Sequence, residues 1–105
     1  MTKKIAKHYE TVKKFHPDYI EAVENLGKKT KEAGPVDTKT AHLIQLAAAI
    51  ACRSEGAVHS HTKRAIDEGA SPDEIRHTVL ILTNTIGFPN VMAGMSWVND
   101  ILVKD

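Results

Sequence analysis

The sequence predicts an all-α fold, a bundle of about five to six helices. Apolar residues recur at helical spacing along most of the chain, and strict alternation of apolar and polar residues over the length of a strand is almost absent. Proline, glycine and capping residues separate the helical stretches. At 105 residues the chain fits one domain, so we expect a single domain over residues 1–105.

Proline and glycine bound the first two helices. A short helix over Lys3 to Phe15 precedes Pro17, whose missing N–H suits the first turn of the second helix. The second helix is expected to reach about Ala33, because Gly34-Pro35 stops it.

The third and fourth helices are predicted from the residues at their ends. Asp37 or Thr38 can cap a third helix that continues through the alanine-rich stretch Ala41 to Cys52. The fourth helix is expected from about Glu55 to Glu68, with Gly69 as its left-handed C-terminal stop.

The clearest local signal starts the fifth helix. In Ser71-Pro72-Asp73-Glu74 the serine can cap, the proline can occupy the first turn, and the glutamate can complete a capping box. We expect this helix to run from Pro72 to about Ile86. Gly87-Phe88-Pro89 then breaks the chain, and Asn90 to Val103 is predicted as the last helix.

Two segments are apolar on nearly all sides, Leu43 to Ala51 and Thr78 to Ile86. Helices of that kind need cover on several sides, and a chain of this size has few helices that can provide it. We therefore expect a homo-oligomer whose subunits cover one another.

Charge and cysteine content narrow the class of protein. There are 14 Lys plus Arg against 13 Asp plus Glu, interleaved along the chain, so no positive field attracts nucleic acid or an anionic membrane. No stretch reaches the roughly 20 apolar residues of a spanning helix, and Met1 to Lys14 lacks the apolar core of a signal peptide. A single cysteine excludes an internal disulfide. We expect a cytoplasmic protein with a small-molecule ligand and neither nucleic acid nor membrane as a partner.

Three short segments follow one another in a characteristic order. Asp37-Thr38-Lys39-Thr40 opens the alanine-rich helix, His61-Thr62-Lys63-Arg64-Ala65 leads to Glu68-Gly69-Ala70-Ser71-Pro72-Asp73-Glu74-Ile75, and Gly87-Phe88-Pro89 closes the following apolar helix. In this order and spacing they resemble the AhpD-like and carboxymuconolactone decarboxylase family. The resemblance covers about half the chain and implies an AhpD-like helical bundle assembled as trimers or hexamers.

The peroxide-reducing branch of that family carries a glutamate on the alanine-rich helix, a CxxC at the start of the next helix and a histidine four residues after the second cysteine. When His61 is aligned with that histidine, the cysteines fall on Ser54 and Ala57 and the glutamate falls on His42. The chain is therefore a cysteine-less variant of the motif. Peroxide reduction by this route needs a thiolate and a resolving thiol, and neither is in place.

His61 is the predicted centre of a polar pocket. It shares one face of its helix with Ala57, and a buried histidine among small neighbours needs a partner because an unpaired polar group costs roughly 1 to 3 kcal/mol. The resemblance places His42 and Ser54 nearby. We interpret His61 as a general acid or base, His42 as the group that positions it or shares its proton, and Ser54 as a hydroxyl contact. The alternative is a histidine pair left in the core after catalysis was lost.

Three neighbouring positions are predicted to contact a substrate. Arg53, next to Ser54, could hold a carboxylate with two parallel hydrogen bonds, although a surface ion pair is an alternative. Acidic and histidine side chains handle a lactone acid in the decarboxylase branch. Glu55 is the nearest acidic residue here, but Ala57 occupies the closest matching position.

We expect no metal and no other cofactor. His42, His61 and Glu55 could supply two nitrogens and one oxygen, but we expect no ligands four residues apart on one helix. The side chains of His59 and His61 point about 200° apart on a helix, so they cannot coordinate the same ion. His59 is expected on a wetter face.

Cys52 is expected to be a small buried side chain at the end of the alanine-rich helix. It precedes Ser54 by two residues, a helical rotation of about 200°, so its thiol should point away from the face of His61. A redox-active Cys52 remains an open alternative.

Three functions fit these observations. The first is a carboxymuconolactone decarboxylase-type protein whose His-centred pocket acts on a small organic acid or an oxidised metabolite. The second is an antioxidant oxidoreductase, an alkylhydroperoxidase with peroxiredoxin-type activity that depends on Cys52. The third is a non-catalytic oligomeric binding protein.

Overall fold

Helices joined by short turns make up residues 2–103, the part of the chain that the computed structural model describes, with side chains described from residue 7 to residue 103. Within that range no residue forms a strand, which confirms the predicted all-α class. The helices are α1 Thr2–Phe15, α2 Pro17–Glu32, α3 Thr38–Ala51, α4 Glu55–Asp67, α5 Pro72–Ile81, α6 Thr83–Ile86 and α7 Phe88–Leu102. They form two compact units, Met1–Asp37 and Thr38–Asp105.

The first unit consists of α1 and α2, which pack against each other. The Tyr9 hydroxyl donates a hydrogen bond to Glu24 Oε2 at 2.5 Å, and Lys13 Nζ lies 3.6 Å from the same carboxylate oxygen. The second helix begins at Pro17, as predicted, because a residue without an N–H costs nothing in the first turn.

The second unit has one apolar core, to which α3, α4, α5 and α7 all contribute. Its buried residues are Leu46, Ala49, Ile50, Val58, Ala65, Ala70, Ile75, Val79, Val91 and Val98. Burial of this set removes apolar surface from water, which is the main force that holds the four helices together.

Local signals set several boundaries as predicted. The Ser71 hydroxyl accepts a hydrogen bond from the Glu74 backbone N–H at 3.0 Å, and the Glu74 carboxylate accepts one from the Ser71 N–H at 2.9 Å. Gly69 and Gly87 have positive φ angles of 94° and 88°, conformations that favour glycine. The capping box and both glycine stops are therefore confirmed.

The predicted helix from Pro72 to Ile86 is wrong in one respect, because it is interrupted at Leu82. The Leu82 N–H bonds to the Val79 carbonyl three residues earlier, and the Thr83 hydroxyl donates to the Leu80 carbonyl. This tightened turn ends α5 and separates it from α6. The result is seven helical segments within the described residues, where about five to six were predicted.

A close approach at Gly94 sets the position of α7 against α3. A Cβ atom at Gly94 would lie 2.6 Å from Ile50 Cγ2, so any larger residue would force the Ile50 side chain or one of the two helices to shift. This contact helps to fix α7 beside the helices that carry the candidate site.

No helix in residues 2–103 is both long enough and apolar enough to cross a membrane.

Candidate functional site

Helix α4 packs against α3 on one side and against α7 on another, and the candidate site residues are on these sides. Its N-terminus is capped by Ser54, whose hydroxyl accepts a hydrogen bond from the Ala57 N–H at 3.4 Å. Val58, Thr62 and Ala65 are completely buried and form its core stripe. Histidines flank this stripe on both sides.

On the α3 side, His42 and His61 face each other. Their Nδ1 atoms are 3.4 Å apart, their ring centroids are 5.7 Å apart, and the rings are tilted by 36°. His42 is 5% exposed, whereas His61 is half-buried. The structure therefore brings together the two histidines that the sequence predicted to be neighbours.

The chemistry of this pair follows from the facing Nδ1 atoms. A hydrogen bond between them needs one nitrogen to carry a proton and the other to accept it. The two imidazoles can therefore hold one proton between them, with His61 as the partner nearer to solvent. Such a pair can give or take a proton at neutral pH.

Ser54 lies at the N-terminal end of α4, away from His61. Seven residues separate it from His61, which corresponds to about 10 Å along a helix axis. Its hydroxyl accepts the capping hydrogen bond from Ala57, and Ala57 itself packs against the core. The structure thus assigns Ser54 the role of N-terminal cap of α4.

Arg53 occupies the turn between α3 and α4. Its φ of 55° lies in the left-handed region, which is uncommon for a residue with a Cβ. The guanidinium donates a hydrogen bond to Asn90 Oδ1 and lies over the Trp97 ring, 5.8 Å from its centroid. Arg53 is exposed, so these contacts orient a guanidinium that solvent still reaches.

The expectation that Cys52 is buried on a helix is wrong. Helix α3 ends at Ala51, Cys52 lies in the following turn, and its side chain is exposed. The Arg53 N–H bonds to the Ile50 carbonyl and the Ser54 N–H bonds to the Ala49 carbonyl, so the chain leaves the helix one residue before the predicted end.

The expectation that His59 faces water is also wrong. His59 is 3% exposed, and its Nε2 lies 2.9 Å from Asp100 Oδ2 on α7. Glu55 lies one turn before His59 on α4, and the three side chains place ligand atoms within 4.8 Å of one another. The sequence therefore does contain an acid–histidine pair four residues apart on one helix. The predicted ligand set paired Glu55 with His42 and His61 and left His59 out. The four-residue spacing of Glu55 and His59 is the sequence signal that could have identified this pair.

Comparison with known proteins defines the family. The sequence model of the carboxymuconolactone decarboxylase family matches residues 17–100. The chain belongs to this family. The carboxymuconolactone decarboxylase assignment confirms the resemblance drawn from the three segments between Asp37 and Pro89, and it extends the match into α2 and along α7.

Two known proteins are similar to this chain over most of its length. An uncharacterized protein of Methanocaldococcus jannaschii is 29% identical over 96 residues, which cover 91% of this chain and 90% of that protein. The crystal structure of an apo carboxymuconolactone decarboxylase family protein from Legionella pneumophila is similar with a TM-score of 0.81. That match covers 96% of this chain and 90% of the other at 23% identity, so it shows a shared fold.

Proposed function

We propose that this carboxymuconolactone decarboxylase-family protein is an enzyme in which the His42–His61 pair transfers a proton to or from a small organic acid or an oxidised metabolite. The observation that carries the proposal is the 3.4 Å separation of the two Nδ1 atoms, with His42 buried and His61 half-buried. This arrangement supplies one accessible acid–base group and one buried group that orients it.

The two imidazoles of the pair have different roles. Loss of CO₂ from an organic acid breaks a carbon–carbon bond and leaves the electron pair on carbon, which must then receive a proton. His61 supplies that proton, and His42 fixes the ring and tautomer of His61 through the Nδ1 contact. Transfer in the opposite direction would serve removal of a proton from an oxidised metabolite.

The remaining predicted contacts fit the needs of a small anionic substrate. Ala57 lies one helical turn before His61 and carries no side chain beyond Cβ, so it places no polar or bulky group beside the imidazole. Arg53 is an exposed cation in the turn before α4, oriented by Asn90 and Trp97. We propose Arg53 as the group that attracts a substrate carboxylate.

Substitution of His61 tests the proposal. Purified protein is incubated with a panel of small lactone and keto acids, and release of CO₂ is measured. His61→Ala should lower turnover by about 100-fold or more, the usual contribution of a positioned acid–base group. His77→Ala, which removes an exposed histidine of α5, is the matched control and should keep full turnover. Turnover that survives His61→Ala in a folded protein contradicts the proposal, whereas specific binding of an acid without turnover favours the non-catalytic alternative.

A thiol-dependent peroxidase is a second candidate, and the exposure of Cys52 is the observation that favours it. The chain has one cysteine, so a sulfenic acid formed at Cys52 would have to be reduced by an external thiol. This function requires consumption of an alkyl hydroperoxide in the presence of such a thiol and its loss in Cys52→Ser. His61→Ala distinguishes the two candidates, because only the first depends on that imidazole.

We also propose a cytoplasmic homo-oligomer, a trimer or hexamer. The support is apolar surface on the last helices: Leu80, Ile81, Phe88 and Met92 are 53%, 63%, 62% and 42% exposed. A second subunit would remove such surface from water. Sedimentation equilibrium measures the mass directly, and a monomer at micromolar concentration would contradict this assembly.

A further inference from the structure

A second cluster of polar groups lies on the other flank of α4, where the helix meets α7. Glu55 and His59 are one turn apart on α4, and Asp100 approaches from α7. One ligand atom from each of the three side chains lies within 4.8 Å of the others, and His59 Nε2 is 2.9 Å from Asp100 Oδ2. One imidazole and two carboxylates thus converge at a single place.

Two atoms of this cluster are buried without a hydrogen-bond partner, namely Glu55 Oε2 and His59 Nδ1. Buried polar atoms are nearly always paired, because each unpaired one costs about 1 to 3 kcal/mol. His59 is itself 97% buried, since its exposed fraction is 3%. The unpaired Glu55 oxygen, beside a buried imidazole and a second carboxylate, indicates a missing positive partner. His59 Nδ1 lies on the other side of the ring from Nε2, so an ion between Nε2 and the carboxylates would not pair with it.

The spacing suits a metal ion. Ligand atoms about 2.0–2.2 Å from a cation are separated from one another by about 3 to 4.4 Å. The Nε2–Oδ2 distance of 2.9 Å is close to the lower limit of that range. All three ligand atoms lie within 4.8 Å of one another, so a small side-chain movement would bring every separation into the range.

We propose that Glu55, His59 and Asp100 bind a divalent transition metal ion. An imidazole nitrogen favours Zn²⁺, Fe²⁺ or Ni²⁺ over Mg²⁺ and Ca²⁺, and the two carboxylates neutralise the charge of the ion. Asp100 is exposed, so the ion has a route of entry and water can complete its coordination. The bound ion links α4 to α7.

This site is independent of the proposed catalytic pair. His59 and His61 are two residues apart on α4, so their side chains point about 200° apart, one toward α7 and the other toward His42 on α3. The two sites can therefore be tested separately.

Isothermal titration of the purified full chain with Zn²⁺ tests the proposal, with Mg²⁺ as the comparison ion. One Zn²⁺ should bind per chain, and Mg²⁺ should bind far more weakly. Asp100→Asn and His59→Gln should each raise the Kd for Zn²⁺ by at least the roughly 10- to 100-fold loss caused by removal of an outer-sphere partner. His77→Gln, an exposed histidine on α5, should leave the Kd unchanged.

Far-UV circular dichroism checks that each variant is folded. If His59→Gln fails to fold, Asp100→Asn decides the outcome, because Asp100 is exposed and its amide replacement keeps the shape. The site is refuted if the wild-type protein binds no Zn²⁺, or if folded Asp100→Asn binds it as tightly as wild type. His61→Ala should retain the wild-type Zn²⁺ stoichiometry, so a failure of the proposed enzyme activity and a failure of the metal site give different results.

Discussion

The two flanks of α4 carry histidines with different chemical surroundings. On the α3 side, the partner of His61 is another imidazole, 3.4 Å away. On the α7 side, the partner of His59 is the carboxylate of Asp100, 2.9 Å away, with Glu55 close by. Two facing imidazoles can share a proton and transfer it to another molecule. An imidazole beside two carboxylates instead attracts a cation.

The difference shows how one helix can serve two purposes. Successive residues of a helix point in directions about 100° apart. Positions 59 and 61 are two residues apart, so they lie on opposite sides of the buried stripe of Val58, Thr62 and Ala65. The neighbouring helix, and not the histidine itself, determines whether the ring faces a base or an acid. Both flanks depend on the same core, and the following predictions separate the shared packing from the two local environments.

The largest effect is expected in the shared core. Leu46 is fully buried on α3, one turn after His42. Leu46→Ala should lower the free energy of unfolding by about 2 to 5 kcal/mol, because it removes buried methyl groups and leaves a cavity. Urea unfolding measures the change. Ile44→Ala on the same helix, where the side chain is 54% exposed, is the control and should change stability by less than about 1 kcal/mol.

An intermediate effect is expected on the α7 flank. Asp100→Ala removes the partner of His59 Nε2 and leaves both ring nitrogens of a buried imidazole unpaired. The protein should lose about 1 to 3 kcal/mol of stability. Asp67→Ala, an exposed carboxylate at the end of α4, is the matched control. Equal urea midpoints for the two variants would show that the buried acid–histidine contact contributes nothing.

The smallest effect is expected for an ion pair at the surface, between Lys39 and Glu74. Hydrogen bonding from the Ser71 backbone N–H, and then from Lys39, lowers the pKa of Glu74 below its usual 4.5. A lowered folded-state pKa contributes stability that is present above pH 4.5 and is lost as the pH falls through the folded-state value.

Glu74→Gln keeps an acceptor for the Ser71 N–H and removes the charge. Its stability should fall slightly below that of wild type near neutral pH. The difference should shrink below pH 4.5 and vanish once the pH is below the lowered folded-state pKa of Glu74. Urea midpoints of both proteins across this range measure the effect. A difference that grows in acid would show that the charge of Glu74 does not stabilise the fold.

Features encoded by neighbouring residues could be predicted from the sequence. The Ser71 capping box and the glycine stops at Gly69 and Gly87 depend on a few adjacent residues, and the structure has them where the sequence placed them. The family resemblance likewise rests on short segments, and it led to the His42–His61 contact across 19 residues of chain.

Features that depend on tertiary packing could not be predicted in the same way. The break at Leu82 has no proline or glycine beside it. Cys52 is exposed because α3 ends at Ala51, and the residue after Cys52, Arg53, has a left-handed backbone that its residue type does not predict. His59 is buried where α4 packs against α7, and its partner there, Asp100, is 41 residues away in the sequence.

The contact between Arg53 and Trp97 has a practical consequence. The chain contains one tryptophan, so all indole emission of the protein originates at this position on α7. A guanidinium lies 5.8 Å from the centre of that ring and belongs to the turn that joins α3 to α4. Movement of the turn should therefore alter the intrinsic fluorescence. Tryptophan emission thus reports conformational change at the start of α4.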